Sequence, residues 1–362
     1  MSVKSSTSTS INTGITRLLG IESPIIGAPM AGASGGELAA QIYLGGGFGF
    51  LAAGYDSPDK FRNEINLARS RIGCNEAGKL PIGVGFLAWQ LEKSPSRANE
   101  MIAIALESHV QAIWLAFGED LGQHIRSIRD YESKLRRDWR VLIFVQISSP
   151  EEVNIAIREW KADVIVAQSN EAGGHGHSKA LPLMTLLPVI LAAVPPGGPL
   201  VIAAGGLTTG TQVAAVLTLG ASGVAIGTRF LLTPESFYTD TQKKALMDAD
   251  SGSTVRTMAF DHARNTLGWP NGVDGRGLRN RTVDDFEMGD ALDVVRQKFI
   301  EGVQKSDPER MLVWAGTGVG LMNETKSARD IVRELHEECI DRLGAIAALI
   351  SETNDLKQVT IL

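Results

Sequence analysis

The sequence predicts a (β/α)8 TIM barrel of the α/β class, with a small helical cap inserted after the eighth strand. Eight short apolar runs recur through the first two-thirds of the chain, and segments with helical character lie between them. Their apolarity is nearly continuous, which is typical of parallel strands buried on both faces. Eight strand–helix units in succession favour a barrel over the alternative, a doubly wound open sheet. The predicted strands are 25–30, 48–54, 82–87, 112–117, 141–148, 164–169, 200–206 and 223–231.

Amphipathic segments between the runs predict the helices that cover the barrel, at 58–72, 94–106, 121–137 and 150–160. The chain beyond the eighth strand is too long for one closing helix. It predicts helices at 235–250 and 284–304, an irregular loop at 261–281, and a long amphipathic helix at 328–350. The expected organisation is a disordered tail (1–16), a barrel domain (17–235), a helical cap or substrate domain (236–324) and a C-terminal helix that closes the barrel (325–362).

Composition limits the classes of function. The 362 residues are 44% hydrophobic and 21% charged with a net charge of −6, which predicts a soluble globular protein that binds neither nucleic acid nor a membrane. The two cysteines lack metal-ligand spacing, so no metal site and no disulfide framework are expected. A reduced, cytoplasmic location is predicted. The Ser- and Thr-rich beginning of the chain leaves a mitochondrial transit peptide as the less favoured alternative.

The segment 171–177, Glu-Ala-Gly-Gly-His-Gly-His, directly follows the sixth predicted strand. Small residues let the backbone approach a ligand closely, and α/β folds build their active sites at the carboxyl ends of strands. An imidazole takes or gives a proton near neutral pH. His175 is therefore predicted to be a catalytic residue on a loop. For His177 a place in the pocket and a place facing solvent remain open.

Glycines end the seventh and eighth predicted strands. Gly205-Gly206 closes one strand, and Gly227-Thr228 closes the next. In TIM barrels the loops after these two strands often bind a phosphate through backbone N–H groups and a helix N-terminus. The pattern predicts a phosphate site here, and the alternative is that these glycines only form tight turns. The glycine cluster at 45–47 predicts the end of a helix. The cluster at 316–320 predicts a loop that returns toward the pocket.

The first predicted strand ends in Ala28-Pro29-Met30, a segment of small and soft side chains that can lie against a planar ring. A planar group and a phosphate at one barrel mouth, with a histidine between them, indicate a phosphorylated planar cofactor. FMN fits all three features.

The chain resembles the nitronate monooxygenase family, whose members are FMN-dependent TIM barrels. The stretches that carry the resemblance are 24–32, 168–175, 203–206 with 227–230, and 314–316. The resemblance implies that His175 is the catalytic base or the partner of the substrate anion, and that Trp114, which replaces a small polar residue of the family, reshapes the substrate pocket. It implies cofactor contacts from Ala28, Pro29, Met30, Gln168, Gly174, Gly205, Gly206, Gly227 and Thr228. The candidate substrate-pocket residues are Trp114, Trp314 and His177, with the solvent-facing alternative kept for His177.

The activity that the resemblance implies is oxidation of alkyl nitronates by O2 to a carbonyl compound and nitrite. Whether neutral nitroalkanes are accepted, and which nitronate is used, stays open. One alternative is an FMN-dependent NAD(P)H reductase of enoyl-thioesters or quinones on the same barrel, which rapid reduction of the flavin by a nicotinamide would reveal. A second alternative is a flavin- or phosphate-binding protein without catalysis. Apart from substrate and O2, the candidate partner is a second copy of the chain in a homodimer.

Overall fold

The computed structural model describes residues 9–135 and 137–349, so residues 1–8 of the expected tail and 350–362 of the expected closing segment lie outside it. The described residues form eleven strands. In chain order these are β1 (Ile25–Gly27), β2 (Phe48–Ala52), β3 (Leu80–Leu87), β4 (Val110–Ala116), β5 (Leu142–Ile147), β6 (Val164–Gln168), β7 (Gly174–His177), β8 (Leu200–Ala204), β9 (Gly223–Ile226), β10 (Thr254–Thr257) and β11 (Val273–Leu278).

Eight of these strands close into a parallel barrel in the order β1-β2-β3-β4-β5-β6-β8-β9. Each lies within or overlaps one of the eight predicted apolar runs, so the predicted TIM barrel is confirmed. The barrel closes where Ile26 of β1 pairs with Phe48 of β2 on one side and with Ala225 of β9 on the other.

The described helices cover the barrel and build the cap. They are α1 (Gly14–Leu19), α2 (Gly36–Leu44), α3 (Pro58–Ile72), α4 (Ala88–Glu92), α5 (Pro95–Glu107), α6 (Leu121–Glu132), α7 (Glu151–Arg158), α8 (Leu183–Ala193), α9 (Gly210–Thr218), α10 (Thr228–Leu231), α11 (Asp240–Asp248), α12 (Ala259–Arg264), α13 (Arg281–Glu287), α14 (Leu292–Gln304) and α15 (Ala328–Ala347), with a 3-10 helix at Thr317–Leu321. Gly45 caps α2, as its glycine cluster predicts.

The barrel interior is a layered aromatic and aliphatic core rather than a pore. The ring of Phe50 meets the rings of Trp114 and Phe144 edge to face, at centroid distances of 5.2 Å and 5.1 Å. Helix α1 adds Ile15 and Leu19 to this inner cluster. The expected disordered tail is therefore wrong for residues 14–16: Ile15 is fully buried, and Thr13 caps the helix through a capping box.

The cap is not purely helical, which corrects the prediction. Strand β11 pairs antiparallel with β10 and with β7, so a three-stranded sheet joins the cap to the segment that carries the Gly-Gly-His sequence. The predicted loop at 171–177 is thus partly a strand. The single helix predicted at 284–304 is two helices, α13 and α14, because the chain turns at Gly289, whose φ of +83° stops a helix.

Helix α10 has only four residues, so it cannot cover the last barrel strand. Helix α15 returns from the cap and packs against α2 and α9 instead. Its buried face consists of Ala328, Ile331, Val332, Leu335 and Cys339.

Candidate active site

A cavity of about 1060 Å³, counting the part open to solvent, lies at the carboxyl ends of the barrel strands. All but one of the residues predicted for the site line this cavity. They are Ala28, Pro29, Met30, Trp114, Gln168, Gly174, His175, Gly205, Gly206, Gly227, Thr228 and Trp314. Gly316 and Gly318 also line it, so the loop at 316–320 does return to the pocket as predicted.

His177 is the exception: it does not line the cavity, so the structure does not support the pocket place that the sequence left open for it. It pairs with Val273 at the far end of the β7–β11 ladder and is not among the lining residues. Its ring packs against Gly272, where a Cβ would lie 2.8 Å from Nε2. The backbone N–H of Lys179 donates to its Nδ1 at 3.3 Å. The alternating direction of side chains along a strand would put residues 175 and 177 on one face, but only His175 reaches the cavity.

The backbone of His175 is held from two sides. It pairs with Gly275 across the β7–β11 ladder, and its carbonyl oxygen accepts a hydrogen bond from Nε2 of Gln168 at 3.1 Å. The Gln168 side chain is itself oriented by Gln146, whose Nε2 donates to Gln168 Oε1 at 2.9 Å. A Cβ at position 176 would lie 2.7 Å from Gln168 Oε1, so the glycine there lets the Gln168 side chain keep its position. These contacts fix where the imidazole enters the cavity.

Three side chains surround the imidazole of His175, whose side chain is 9% exposed. Nε2 lies 3.1 Å and 3.0 Å from the two carboxylate oxygens of Asp261. The indole of Trp269 stacks on the ring with centroids 3.5 Å apart and planes 11° apart, while Trp314 meets it edge-on at 5.0 Å.

Asp261 is the main site residue that sequence reasoning missed. It lies on α12 with 0% of its side chain exposed, and it also accepts hydrogen bonds at Oδ1 from Thr266 Oγ1 (2.9 Å) and Trp269 Nε1 (3.1 Å). The sequence around it predicted an irregular loop, so nothing local marked it as a partner of His175. Trp269, which lies in the same predicted loop, also lines the cavity.

The turns after β8 and β9 form a cradle of backbone donors. Gly205 and Gly206 have φ values of +114° and +72°, which L-residues with a side chain rarely adopt. Within the described residues, the N–H groups of Gly205, Gly206 and Gly227 donate no hydrogen bond to the protein. The Thr228 hydroxyl oxygen accepts a hydrogen bond from Gly316 N–H at 3.0 Å, which leaves its own proton to donate. This donor set fits an anion such as a phosphate.

The N–H groups at the helix N-terminus expected beside this cradle are already hydrogen-bonded within the protein. At the start of α9, Gln212 Oε1 accepts hydrogen bonds from the N–H groups of Thr208 (2.8 Å) and Thr209 (3.1 Å). The carboxylate of Glu338 accepts one from Gly210 N–H. Arg229 is buried and donates to the carbonyl of Glu324 at 3.1 Å, so it ties the cap's end to the barrel. The cradle therefore relies on backbone donors of the two turns.

The segment after β1 offers acceptors to the cavity. The N–H of Ala28 donates to Ile226 O, and the N–H of Met30 donates to Ser34 Oγ at 2.8 Å. Within the described residues, no protein group donates to the carbonyl oxygens of Ala28 and Pro29. A planar cofactor with ring N–H groups would thus meet free carbonyls here, because the N–H groups of Ala28 and Met30 are already hydrogen-bonded within the protein.

The remaining cavity wall is aromatic and uncharged. Phe117 lines the cavity and has a φ of +59°. This backbone conformation is strained for a bulky residue, and strained residues are concentrated at functional sites. The ring of Phe117 meets Trp269 edge-on at 5.4 Å. Trp114 is 3% exposed and stacks on Phe144, so it forms the floor of the cavity. Burial raises the pKa of Tyr238, whose hydroxyl accepts from Trp314 N–H at 2.9 Å; this phenol stays protonated.

Two absences hold for residues 9–135 and 137–349. In this part of the chain no three His, Cys, Asp or Glu side chains come together in a way that could bind a metal ion. None of its helices has both the length and the apolarity needed to cross a bilayer.

Comparison with known proteins identifies the family. The family model for nitronate monooxygenases matches residues 12–338. A nitronate monooxygenase of Neurospora crassa is 32% identical over 345 residues, which cover 90% of this chain and 91% of that protein. Among solved structures, FabK of Thermotoga maritima is similar with a TM-score of 0.76 and 25% identity, covering 94% of this chain and all of that one. A nitroalkane oxidase of Streptomyces ansochromogenes has a TM-score of 0.73 and 27% identity, covering 92% of this chain and 99% of its own. The chain belongs to the nitronate monooxygenase family of flavin-dependent oxidoreductases.

Proposed function

We propose that the protein is an FMN-dependent enzyme that oxidises alkyl nitronates with O2 to a carbonyl compound and nitrite, and that it also accepts neutral nitroalkanes. One observation carries the proposal: a single cavity combines the imidazole of His175 with the N–H groups of Gly205, Gly206 and Gly227, which have no partner among the residues that the structure describes. The N–H groups suit a cofactor phosphate. The imidazole suits a substrate that is an anion or that must lose a proton.

The cavity residues fit FMN in particular. The phosphate would be held by the N–H groups of Gly205, Gly206, Gly227 and Thr228, and the planar ring by the segment 28–30 together with Gln168 and Gly174. A Cβ on Gly227 would point toward Met30, 3.5 Å from its sulfur, so glycine keeps this part of the cradle open. FMN would supply the electron transfer between the substrate carbon and O2.

The protein's own part is to bind and orient the substrate and to move one proton. The aromatic wall formed by Phe117, Trp269 and Trp314 excludes water and gives the organic part of the substrate an apolar surface. Two of the lining residues have ionisable side chains, His175 and Tyr238, and the phenol of Tyr238 is buried and stays protonated. As an imidazolium His175 would hold a nitronate anion, and as a neutral imidazole it would take the α-proton of a nitroalkane.

The test begins with the cofactor. Flavin released from the purified protein by denaturation is identified by chromatography, and FMN is the expected species. Oxygen uptake and nitrite are then measured with ethylnitronate and nitroethane, and anaerobic flavin reduction is measured with NADH and NADPH. Nitrite formation with slow reduction by both nicotinamides supports the proposal. Fast reduction by a nicotinamide without nitrite formation would support the reductase alternative, and a colourless protein would contradict both.

His175→Gln and His177→Gln form a matched pair for the role of the histidine. They lie two residues apart on β7, yet only His175 lines the cavity. We expect His175→Gln to reduce nitroethane turnover by about 10²- to 10⁴-fold, the usual contribution of a general base, while His177→Gln leaves it unchanged. Equal activities of the two variants would show that His175 has no role in the reaction.

A further inference from the structure

We propose that Asp261 is a positioning residue for His175. Its carboxylate keeps the neutral imidazole protonated at Nε2, so that Nδ1 carries the lone pair that takes the α-proton of a neutral nitroalkane. This inference rests on the proposed function, because a nitroalkane needs a base whereas a preformed nitronate does not.

The hydrogen bonds around Asp261 set the direction of donation. Both of its oxygens lie within 3.1 Å of His175 Nε2. A tryptophan Nε1 can only donate, and Trp269 Nε1 lies 3.1 Å from Oδ1. Thr266 Oγ1 adds a third donor at 2.9 Å. The carboxylate is therefore an acceptor toward all three partners, and the Nε2 of His175 must supply the hydrogen in its bond.

The other ring nitrogen is free. Within the described residues, no protein group bonds to Nδ1 of His175, and this atom is not among the fully buried polar atoms that lack a partner. His175 lines the cavity, so Nδ1 keeps accessible surface there. Trp269 stacks on one face of the ring while bonding to the same carboxylate, which fixes the plane of the imidazole, and the bond from Nε2 to Asp261 sets which edge of the ring faces the carboxylate. The two nitrogens thus have separate roles.

The proton transfer from a nitroalkane uses both ring nitrogens of His175. The Nδ1 lone pair takes the α-proton of the nitroalkane, and the electron pair of the broken C–H bond forms the C=N bond of the nitronate. Negative charge moves to the nitro oxygens, and His175 becomes an imidazolium with protons on both nitrogens. The carboxylate of Asp261 stabilises that cation, as in a histidine oriented by a buried acid.

The tautomer is tested directly by ¹⁵N NMR of the flavin-loaded protein with labelled histidine, because the shifts of the two ring nitrogens report which one is protonated. The chain has six histidines, and a spectrum of His175→Gln assigns the signals of His175. We expect protonated Nε2 and bare Nδ1 in the wild type, and a shift toward the other tautomer in Asp261→Asn, whose amide can donate. Protonated Nδ1 in the wild type would overturn the proposal, whether or not the variant folds.

Kinetics give a second readout. We expect Asp261→Asn to lower kcat/KM for nitroethane by about 100-fold or more, the scale of general-base catalysis, and that for ethylnitronate by less than about tenfold. Asp285→Asn is the matched control: another buried aspartate of the cap, paired with Lys298 and Arg310 and remote from the cavity lining. It is expected to leave the ratio of the two substrates unchanged.

The outcomes separate the two proposals. A wild type that oxidises no nitronate contradicts the proposed function. A wild type that oxidises ethylnitronate but not nitroethane overturns the base role of Nδ1 together with the proposed acceptance of neutral nitroalkanes, and leaves the proposed oxidation of nitronates intact. Equal decreases in kcat/KM for both substrates in Asp261→Asn would show that Asp261 has only a structural role.

Discussion

The indole of Trp269 lies parallel to the imidazole of His175, with ring centroids 3.5 Å apart and planes 11° apart. The two residues come from different parts of the fold: His175 is on β7, and Trp269 precedes β11. The pairing of β7 with β11 brings them together. The cap therefore completes the active site rather than merely covering it.

Replacing Trp269 with alanine is expected to reduce activity more than stability. The ring pair contributes about 0.5–1.5 kcal/mol and the hydrogen bond to Asp261 a similar amount, so kcat/KM for the nitroalkane should fall about tenfold or more by steady-state assay. Trp139→Ala is the control, because Trp139 packs under the guanidinium of Arg137 at 4.1 Å and does not line the cavity. Equal effects of the two variants would show that the stack has no role in positioning.

Gly227→Ala is expected to weaken FMN binding without unfolding the protein. The added Cβ would meet the Met30 sulfur at 3.5 Å, an ordinary contact, while it narrows the cradle of N–H groups. Fluorescence titration of the flavin-free protein should give a dissociation constant raised about tenfold, the equivalent of 1.4 kcal/mol. Gly344→Ala on α15, where a Cβ meets nothing within 4 Å, is the control and should bind FMN normally. Unchanged affinity in Gly227→Ala would contradict the placement of the phosphate.

Ile15→Ala is expected to destabilise the barrel although it lies near the start of the described chain. The side chain is fully buried in the inner cluster, and such truncations cost about 2–5 kcal/mol. Leu18→Ala on the same helix is the control, since Leu18 is 38% exposed. Chemical denaturation measures both free energies of unfolding. Similar small decreases in the free energy of unfolding of the two variants would show that α1 does not stabilise the barrel.

Cys339 is expected to give the protein a sensitivity to alkaline pH. Burial raises the pKa of its thiol from 9.0 to about 11. Between these values the unfolded chain releases the proton while the folded chain keeps it, so the free energy of unfolding falls as pH rises. Denaturation curves from pH 8 upward should show a steeper fall for the wild type than for Cys339→Ala. Parallel curves would contradict this assignment.

Sequence reasoning was most successful where the signal was local. Strands such as Val164–Gln168 and Leu200–Ala204 are continuous apolar runs, and the turn after Leu200–Ala204 carries Gly205 and Gly206, whose positive φ values belong to the cradle of backbone donors. It was least successful in the cap. Strand β7 consists of Gly-His-Gly-His, and β11 contains Asp, Arg and two glycines. Neither segment shows an alternating apolar pattern, so each is a strand only because the other pairs with it.

The sequence by itself determined the barrel, the glycine turns at its mouth and the place of His175 after the sixth strand, because burial and backbone conformation depend on residues that are close together in the chain. Only the tertiary structure decided which residues meet His175. Asp261 lies 86 positions away in the chain, and the contact exists because an antiparallel ladder folds the cap back over the barrel mouth. The same folding turned His177 away from the cavity, since strand pairing across space sets the surroundings of a side chain that its neighbours in sequence do not specify.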